Sequence, residues 1–148
     1  MELMDIFKRV ELFRGLTVAQ LQRLAAISER ETYHRQQVIC KQGDMGDRMY
    51  IVADGQVEIQ VRDAKGQTRS TVYLGEGQVV GEITLLDEGT RSATVLAVAD
   101  DTVVFGIPNH NFVALCKEDT AIGYVMMRNL AQDLSFKLRH VDHTSSAP

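Results

Sequence analysis

One stretch of this 148-residue chain gathers side chains that can hold an anion next to a sugar. It reads Val79-Val80-Gly81-Glu82-Ile83-Thr84-Leu85-Leu86-Asp87-Glu88-Gly89-Thr90-Arg91-Ser92-Ala93-Thr94-Val95. Residues 82–87 have the length for about one and a half helical turns, with Gly81 opening the turn and Gly89 offering a left-handed exit. Ile83, Leu85 and Leu86 are expected to anchor it on the core. The first turn of a helix carries unpaired backbone N–H groups and a partial positive charge, which suits a phosphate. Gly81 lets a ligand approach the backbone. Arg91 adds a planar cation able to bond two phosphate oxygens, and Ser92 adds a hydroxyl. Glu82 repels anions, so its use lies in accepting hydrogen bonds from sugar hydroxyls. Anion plus sugar points to a nucleotide. Taken alone, Arg91 would read as a surface cation paired with Asp87 or Glu88, and Glu82 as a first-turn acid facing the helix dipole. The joint spacing of Gly81, Glu82 and Arg91 favours the ligand role.

The elements around this stretch follow from period and punctuation. At the N-terminus Ile6, Phe7 and Val10 make a short helical stripe. Thr17 and Gln20 have the spacing of a capping box, ahead of Leu21, Leu24, Ala25 and Ile27 at amphipathic spacing. From about Glu31 the period changes. Residues 38–40, 48–53, 56–62, 68–74, 78–80, 92–99 and 102–107 are short runs rich in Val, Ile, Tyr and Thr. Val57, Ile59 and Val61 alternate with polar neighbours. Turn signals at 42–44, 54–55, 64–66, 75–77 and 100–101 separate the runs. Many short strands at this spacing imply an antiparallel sandwich, roll or barrel. After Pro108, Asn109 is expected to cap a short helix. Thr120 should cap a longer one, to about Val141, carrying Ile122, Val125, Met126, Leu130, Leu134 and Leu138. The tail from His143 is expected to fray. The fold class is therefore mainly β with flanking helices. It is an antiparallel, jelly-roll-like β-roll with N-terminal helices, a short inserted phosphate-binding helix and a long C-terminal helix. One domain spans 1–148: helices over 1–30, the β-roll over 31–108 with the binding segment at 81–95, and helices over 109–142.

Composition narrows the function classes. The net charge is −4 and no basic run occurs, so direct nucleic-acid binding is not expected. Cys40 and Cys116 lie far apart inside apolar runs and read as small buried hydrophobes rather than a disulfide. No signal peptide and no membrane-spanning run is visible, so the expected setting is the cytoplasm, with no membrane partner. Gly75-x-Gly77-x-x-x-Gly81 is one residue too long for a dinucleotide loop and lacks a βαβ frame. His140-x-x-His143 is half a metal site without further ligands, and His34 and His110 stand singly. There is no G-x-S-x-G nucleophile pattern. Neither an enzyme, a metal nor a cofactor is expected.

Gly81-Glu82, a hydrophobic turn and then Arg91-Ser92-Ala93-Thr94-Val95 resemble the phosphate-binding cassette of the cyclic-nucleotide-binding domain family. That family includes kinase regulatory subunits, cyclic-nucleotide-gated channels and catabolite-activator-type transcription factors. Gln42-Gly43-Asp44-Met45-Gly46-Asp47-Arg48-Met49-Tyr50-Ile51-Val52, followed by Gly55-Gln56-Val57, resembles its second signature, and the leading helix around Phe13 and Leu24 fits as well. The resemblance implies that Glu82 binds the ribose 2′-hydroxyl and Arg91 the cyclic phosphate. Backbone N–H groups of Ile83, Thr84 and Ser92 would complete the cradle that Gly81 opens. The ligand expected is cyclic AMP, with cyclic GMP as the alternative, since Ser92 after the arginine is ambiguous. Three positions depart from the family pattern: Thr84 where Ala or Gly is usual, Val80 for a frequent Phe, and Gln36 at a turn position often held by Gly. Ligand binding would draw the C-terminal helix over the base, with Asn129, Asp133 and Lys137 as candidates to touch it. The apolar stripe of that helix could also form a homodimer seam, although its spacing reads as mixed rather than as a sustained heptad. The signal would pass to an unidentified downstream protein. Three other readings stay open: the ligand-binding part of a helix-turn-helix regulator, an enzyme on a cupin-like roll, and a purely structural interaction domain.

Overall fold

The computed structural model describes residues 2–87 and 89–140; Glu88, Val141 and the expected frayed tail lie outside the described residues. Helix α1 (Leu3–Phe7), a 3-10 turn (Glu11–Phe13) and α2 (Val18–Ala26) come first. The Thr17 hydroxyl accepts from the Gln20 amide at 3.2 Å and the Gln20 side chain accepts from the Thr17 amide at 2.9 Å, so the capping box starts α2 as expected.

Eight strands follow: β1 (Glu29–Tyr33), β2 (Val38–Cys40), β3 (Arg48–Asp54), β4 (Val57–Arg62), β5 (Thr68–Leu74), β6 (Val79–Val80), β7 (Thr94–Ala97) and β8 (Thr102–Pro108). They pair antiparallel in two four-stranded sheets, ordered β1-β8-β3-β6 and β2-β7-β4-β5. This is the expected jelly-roll-like roll. Strand β1 begins at Glu29, before the switch expected at Glu31. Its sequence Glu-Arg-Glu-Thr-Tyr carries charge on both faces because it is an edge strand, exposed or half-exposed throughout. Gln36 sits at φ 71°, the left-handed conformation that explains why a glycine would be at ease there.

Strands β3 and β8 are apolar on both faces because each face meets a different core. Met49 and Ile51 point to the helices, among Ile6, Phe7, Phe13, Leu24, Phe112, Ile122, Met126 and Leu130. Tyr50 and Val52 point into the roll, among Ile39, Val57, Val80, Val95 and Val104. Helices α3 (Asn109–Glu118) and α4 (Thr120–Arg139) close the first core. Their caps differ from expectation by one residue. Pro108 precedes α3 without a side-chain cap, which frees the Asn109 side chain to turn inward. Asp119 caps α4 by accepting from the Ala121 and Ile122 amides, so Thr120 is already inside the helix.

Candidate functional site

The segment between β6 and β7 crosses from the edge of one sheet to the interior of the other, and so spans the mouth of the roll. Gly81 turns the chain at φ 74°, and a 3-10 turn follows over Glu82–Leu85, shorter than the one and a half α-turns expected. In a 3-10 turn residues three apart share a face. Ile83 and Leu86 therefore both face outward, 39% and 45% exposed, and only Leu85 enters the core at 7%. The expected three-residue anchor is a single residue.

Thr84 is the second buried residue of the turn. Its hydroxyl donates to the Gly81 carbonyl at 2.7 Å and lies 3.3 Å from Asn109 Oδ1. Asn109 Nδ2 in turn donates to the Gly46 carbonyl at 3.4 Å. A Cβ at Gly46 would overlap the Thr84 methyl. The threonine found where a smaller residue is usual is thus accommodated by a glycine in the facing loop. The Thr84 amide is engaged by the Gly81 carbonyl at 3.2 Å, whereas the amides of Ile83 and Ser92 meet no acceptor among the described residues.

The limb that carries Arg91 is bolted to residues 43–46. The Arg91 amide donates to the Asp44 carbonyl at 2.7 Å, the Gly43 amide to the Arg91 carbonyl at 2.9 Å, and the Gly46 amide to the Gly89 carbonyl at 3.0 Å. Met45 and Thr90 form an antiparallel bridge between them. The run 42–52 therefore has a physical task in the site: it holds the arginine. Arg91 is 7% exposed. Its Nη2 donates to the Arg48 carbonyl at 2.6 Å and lies 4.0 Å from Asp47 Oδ1, and its guanidinium carbon stands 5.6 Å from the Tyr50 ring centroid. Its Nη1 is buried and has no hydrogen-bond partner. A Cβ on Gly81 would overlap this nitrogen. Arg91 therefore does not take up the surface pairing with Asp87; that carboxylate accepts from the Gly89 amide at 3.2 Å instead. Burial, then the charge of Glu31, pushes the Tyr50 phenol up to about 12.

Beside the arginine opens a cavity of about 520 Å³ whose walls include Gly81, Glu82, Ile83, Thr84, Arg91 and Ser92. All six residues singled out in the sequence thus meet in one hollow, with apolar cover from Ile59, Val80 and Val95. Cys40 is in the same wall, and burial pushes its thiol up, which keeps it neutral. Glu82 is half-buried, and its Oε1 lies 3.7 Å from Lys137 Nζ on α4. Of the three α4 residues considered for base contact, Asn129 is spent on the carbonyls of Leu12 and Arg14, both at 2.8 Å. Asp133 accepts from Arg14 at 3.1 Å. Lys137 alone of the three lines this cavity. Sequence reasoning missed the Arg48 carbonyl, Asp47, Tyr50 and Asn109 as partners of the site; their common signal was membership of, or pairing with, the 42–52 run. Among the described residues no group of three or more His, Cys, Asp or Glu could hold a metal.

Arg91, with one buried nitrogen free of hydrogen bonds, and Glu82 thus line the same cavity. The Thermus thermophilus cyclic AMP receptor protein is 34% identical over 131 residues, covering 88% of this chain and 58% of that protein. This chain thus spans less than two thirds of its relative's length. The crystal structure of the catabolite activator protein of Thermus thermophilus superposes with a TM-score of 0.79 at 34% identity, over 89% of this chain and 60% of that one. The N-terminal domain of a transcriptional regulator from Streptomyces coelicolor A3(2) shares the fold, with a TM-score of 0.84 at 24% identity over 97% of this chain and all of its own. The model of the cyclic nucleotide-binding domain matches residues 30–119, from β1 to the cap of α4. With that match over more than half its length, the chain belongs to the cyclic nucleotide-binding domain family.

Proposed function

We propose that this chain senses cyclic AMP and acts by binding alone, without catalysis. The observation that carries the reading is Arg91: a cation at 7% exposure with one nitrogen lacking any partner, set against Gly81 and beside Glu82. A buried donor without an acceptor is costly, and a phosphate drawn into the hollow satisfies it. The amides of Ile83 and Ser92, without an acceptor among the described residues, add two further donors, and Glu82 takes the ribose hydroxyl. The strand wall of Ile59, Val80 and Val95 offers apolar cover to the rest of the nucleotide. Cyclic AMP is preferred because the Thermus relative is named as its receptor; cyclic GMP is the competitor to test. The likeness to a cyclic AMP receptor protein supports the non-enzymatic part. No cofactor is invoked.

The output is movement of α4. Beyond Leu130 the described residues of this helix bury no side chain fully, so its last turns rest over the cavity on polar contacts. The same helix supports pairing with a second copy. Its outward residues Tyr124, Met127, Ala131, Leu134 and Leu138 fall at steps of three and four, the seam of a two-stranded coil, which the mixed spacing of the bare sequence did not reveal. Tyr124 and Leu138 are 65% and 74% exposed as the chain stands. No described helix is long and apolar enough to cross a membrane, and a cytoplasmic setting with a separate downstream protein belongs to this same proposal.

A second reading, the ligand-sensing part of a DNA-binding regulator, is favoured by the likeness to the Thermus protein, of which this chain spans 58%. In that case the effector is a further segment of the natural chain rather than another protein. A thermal-shift screen tests the common core of both. Cyclic AMP should raise the unfolding temperature, cyclic GMP less, and linear AMP not at all. Equal shifts for all three contradict a site built for a cyclic phosphate, and no shift at all contradicts the sensor.

A further inference from the structure

Resting on that reading, we propose that Lys137 sets the sugar selectivity of the cavity by competing with the ligand for Glu82. The ammonium lies 3.7 Å from Glu82 Oε1, with 64% of the lysine side chain and 23% of the glutamate side chain exposed. The pair stands where two hollows meet. The cavity beside Arg91 and a second of about 560 Å³, lined in part by Val10, Leu12, Gln78 and Phe136, share Val79, Glu82 and Lys137. The carboxylate meant for a ribose hydroxyl therefore already has an occupant, supplied by the helix that has to move.

An ion pair this exposed is weak and exchangeable. A ribonucleotide displaces Lys137 and gains hydrogen bonds to Glu82, so its net affinity is the difference between the two. A 2′-deoxy ligand offers Glu82 nothing at that position. The lysine stays, and the half-buried carboxylate keeps its partner. Lys137 thus narrows the gap between ribo- and deoxyribo-ligands. It also makes release of the end of α4 part of the same exchange as ribose binding.

The test is calorimetric titration of the full chain with 3′,5′-cyclic AMP and with its 2′-deoxy analogue, in wild type, Lys137→Gln and Lys137→Arg. Lys137→Gln is expected to bind cyclic AMP about two- to five-fold more tightly, the worth of an exposed ion pair. The deoxy analogue should bind it no better than wild type, so the ratio between the two widens. Lys137→Arg keeps the wild-type ratio. Equal weakening of both ligands in Lys137→Gln would mean that the lysine serves the phosphate, and overturns the proposal, as does an unchanged ratio. Wild-type protein that binds neither nucleotide overturns the sensor reading itself, and this proposal with it.

Discussion

Arg91 gains its meaning from what surrounds each of its nitrogens. One is held by the Arg48 carbonyl, and the other is pressed against a glycine with its hydrogen-bonding capacity unused. Gly81 is therefore needed twice, for φ 74° and for the space its missing Cβ leaves to the guanidinium. Gly81→Ala should lose roughly 1–2 kcal/mol from the left-handed backbone alone. Cyclic AMP affinity should fall further than that, because the new methyl displaces the cation. Thermal unfolding and calorimetry on the same sample check both, and a variant that melts early but binds normally would separate Gly81 from the site. The ring beneath the cation makes a second prediction. Tyr50 ionises near 12 in the fold, against 10.0 for an unperturbed phenol. Its neutral form is favoured by burial, so this contribution to stability is full below pH 10 and is lost as pH rises from 10 through 12. Denaturant unfolding from pH 9 to 12, followed with tyrosinate absorbance, should show that decline; flat stability across the window contradicts it.

At the scale of elements, the site is a joint between two loops. The 3-10 turn and the Arg91 limb on one side meet residues 43–46 on the other, and Thr84 fits only because position 46 lacks a Cβ. Gly46→Ala should cost about 1–3 kcal/mol through overpacking. Thr84→Ser, which removes the obstructing methyl and keeps the hydroxyl, should recover much of it. A double-mutant cycle by chemical denaturation measures the coupling, and strict additivity would show the two residues to be independent. Much of this was legible in the sequence. The apolar runs of β3 and β8, the Thr17 capping box and the glycine–acid–arginine spacing all have local physical signatures. What was not legible depends on partners distant in the chain. Glu29-Arg-Glu-Thr-Tyr33 looks nothing like a strand because an edge facing water needs no alternation. Ile83 and Leu86 looked like anchors, but the tighter three-residue period turns both outward. Asn109 looked like a cap, yet its side chain serves Gly46 and Thr84 across the joint. Lys137 could be named only among three candidates, since its pairing with Glu82 spans 55 positions of sequence.

At the scale of the whole molecule, two cores share the strands β3 and β8, so a change at the mouth of the roll is felt by strands that also carry the helices. Helix α4 belongs to this system at its N-terminal half, through Ile122, Met126 and Leu130, and stands free of the core at its C-terminal half. That asymmetry suits a lever whose far end answers to the ligand. If its outward stripe pairs two copies, Leu138→Glu places like charges in the seam and should convert a dimer to a monomer in sedimentation experiments. A wild-type chain that is monomeric at every concentration contradicts the seam. The binding claim beneath all of this rests on one guanidinium, and calorimetric titration of cyclic AMP into wild type and Arg91→Ala addresses it most directly. Removing the partner of a desolvated phosphate should weaken binding by about 2–5 kcal/mol, a loss of roughly thirty-fold to several thousand-fold. An affinity unchanged in that variant, with its fold intact, would contradict the account.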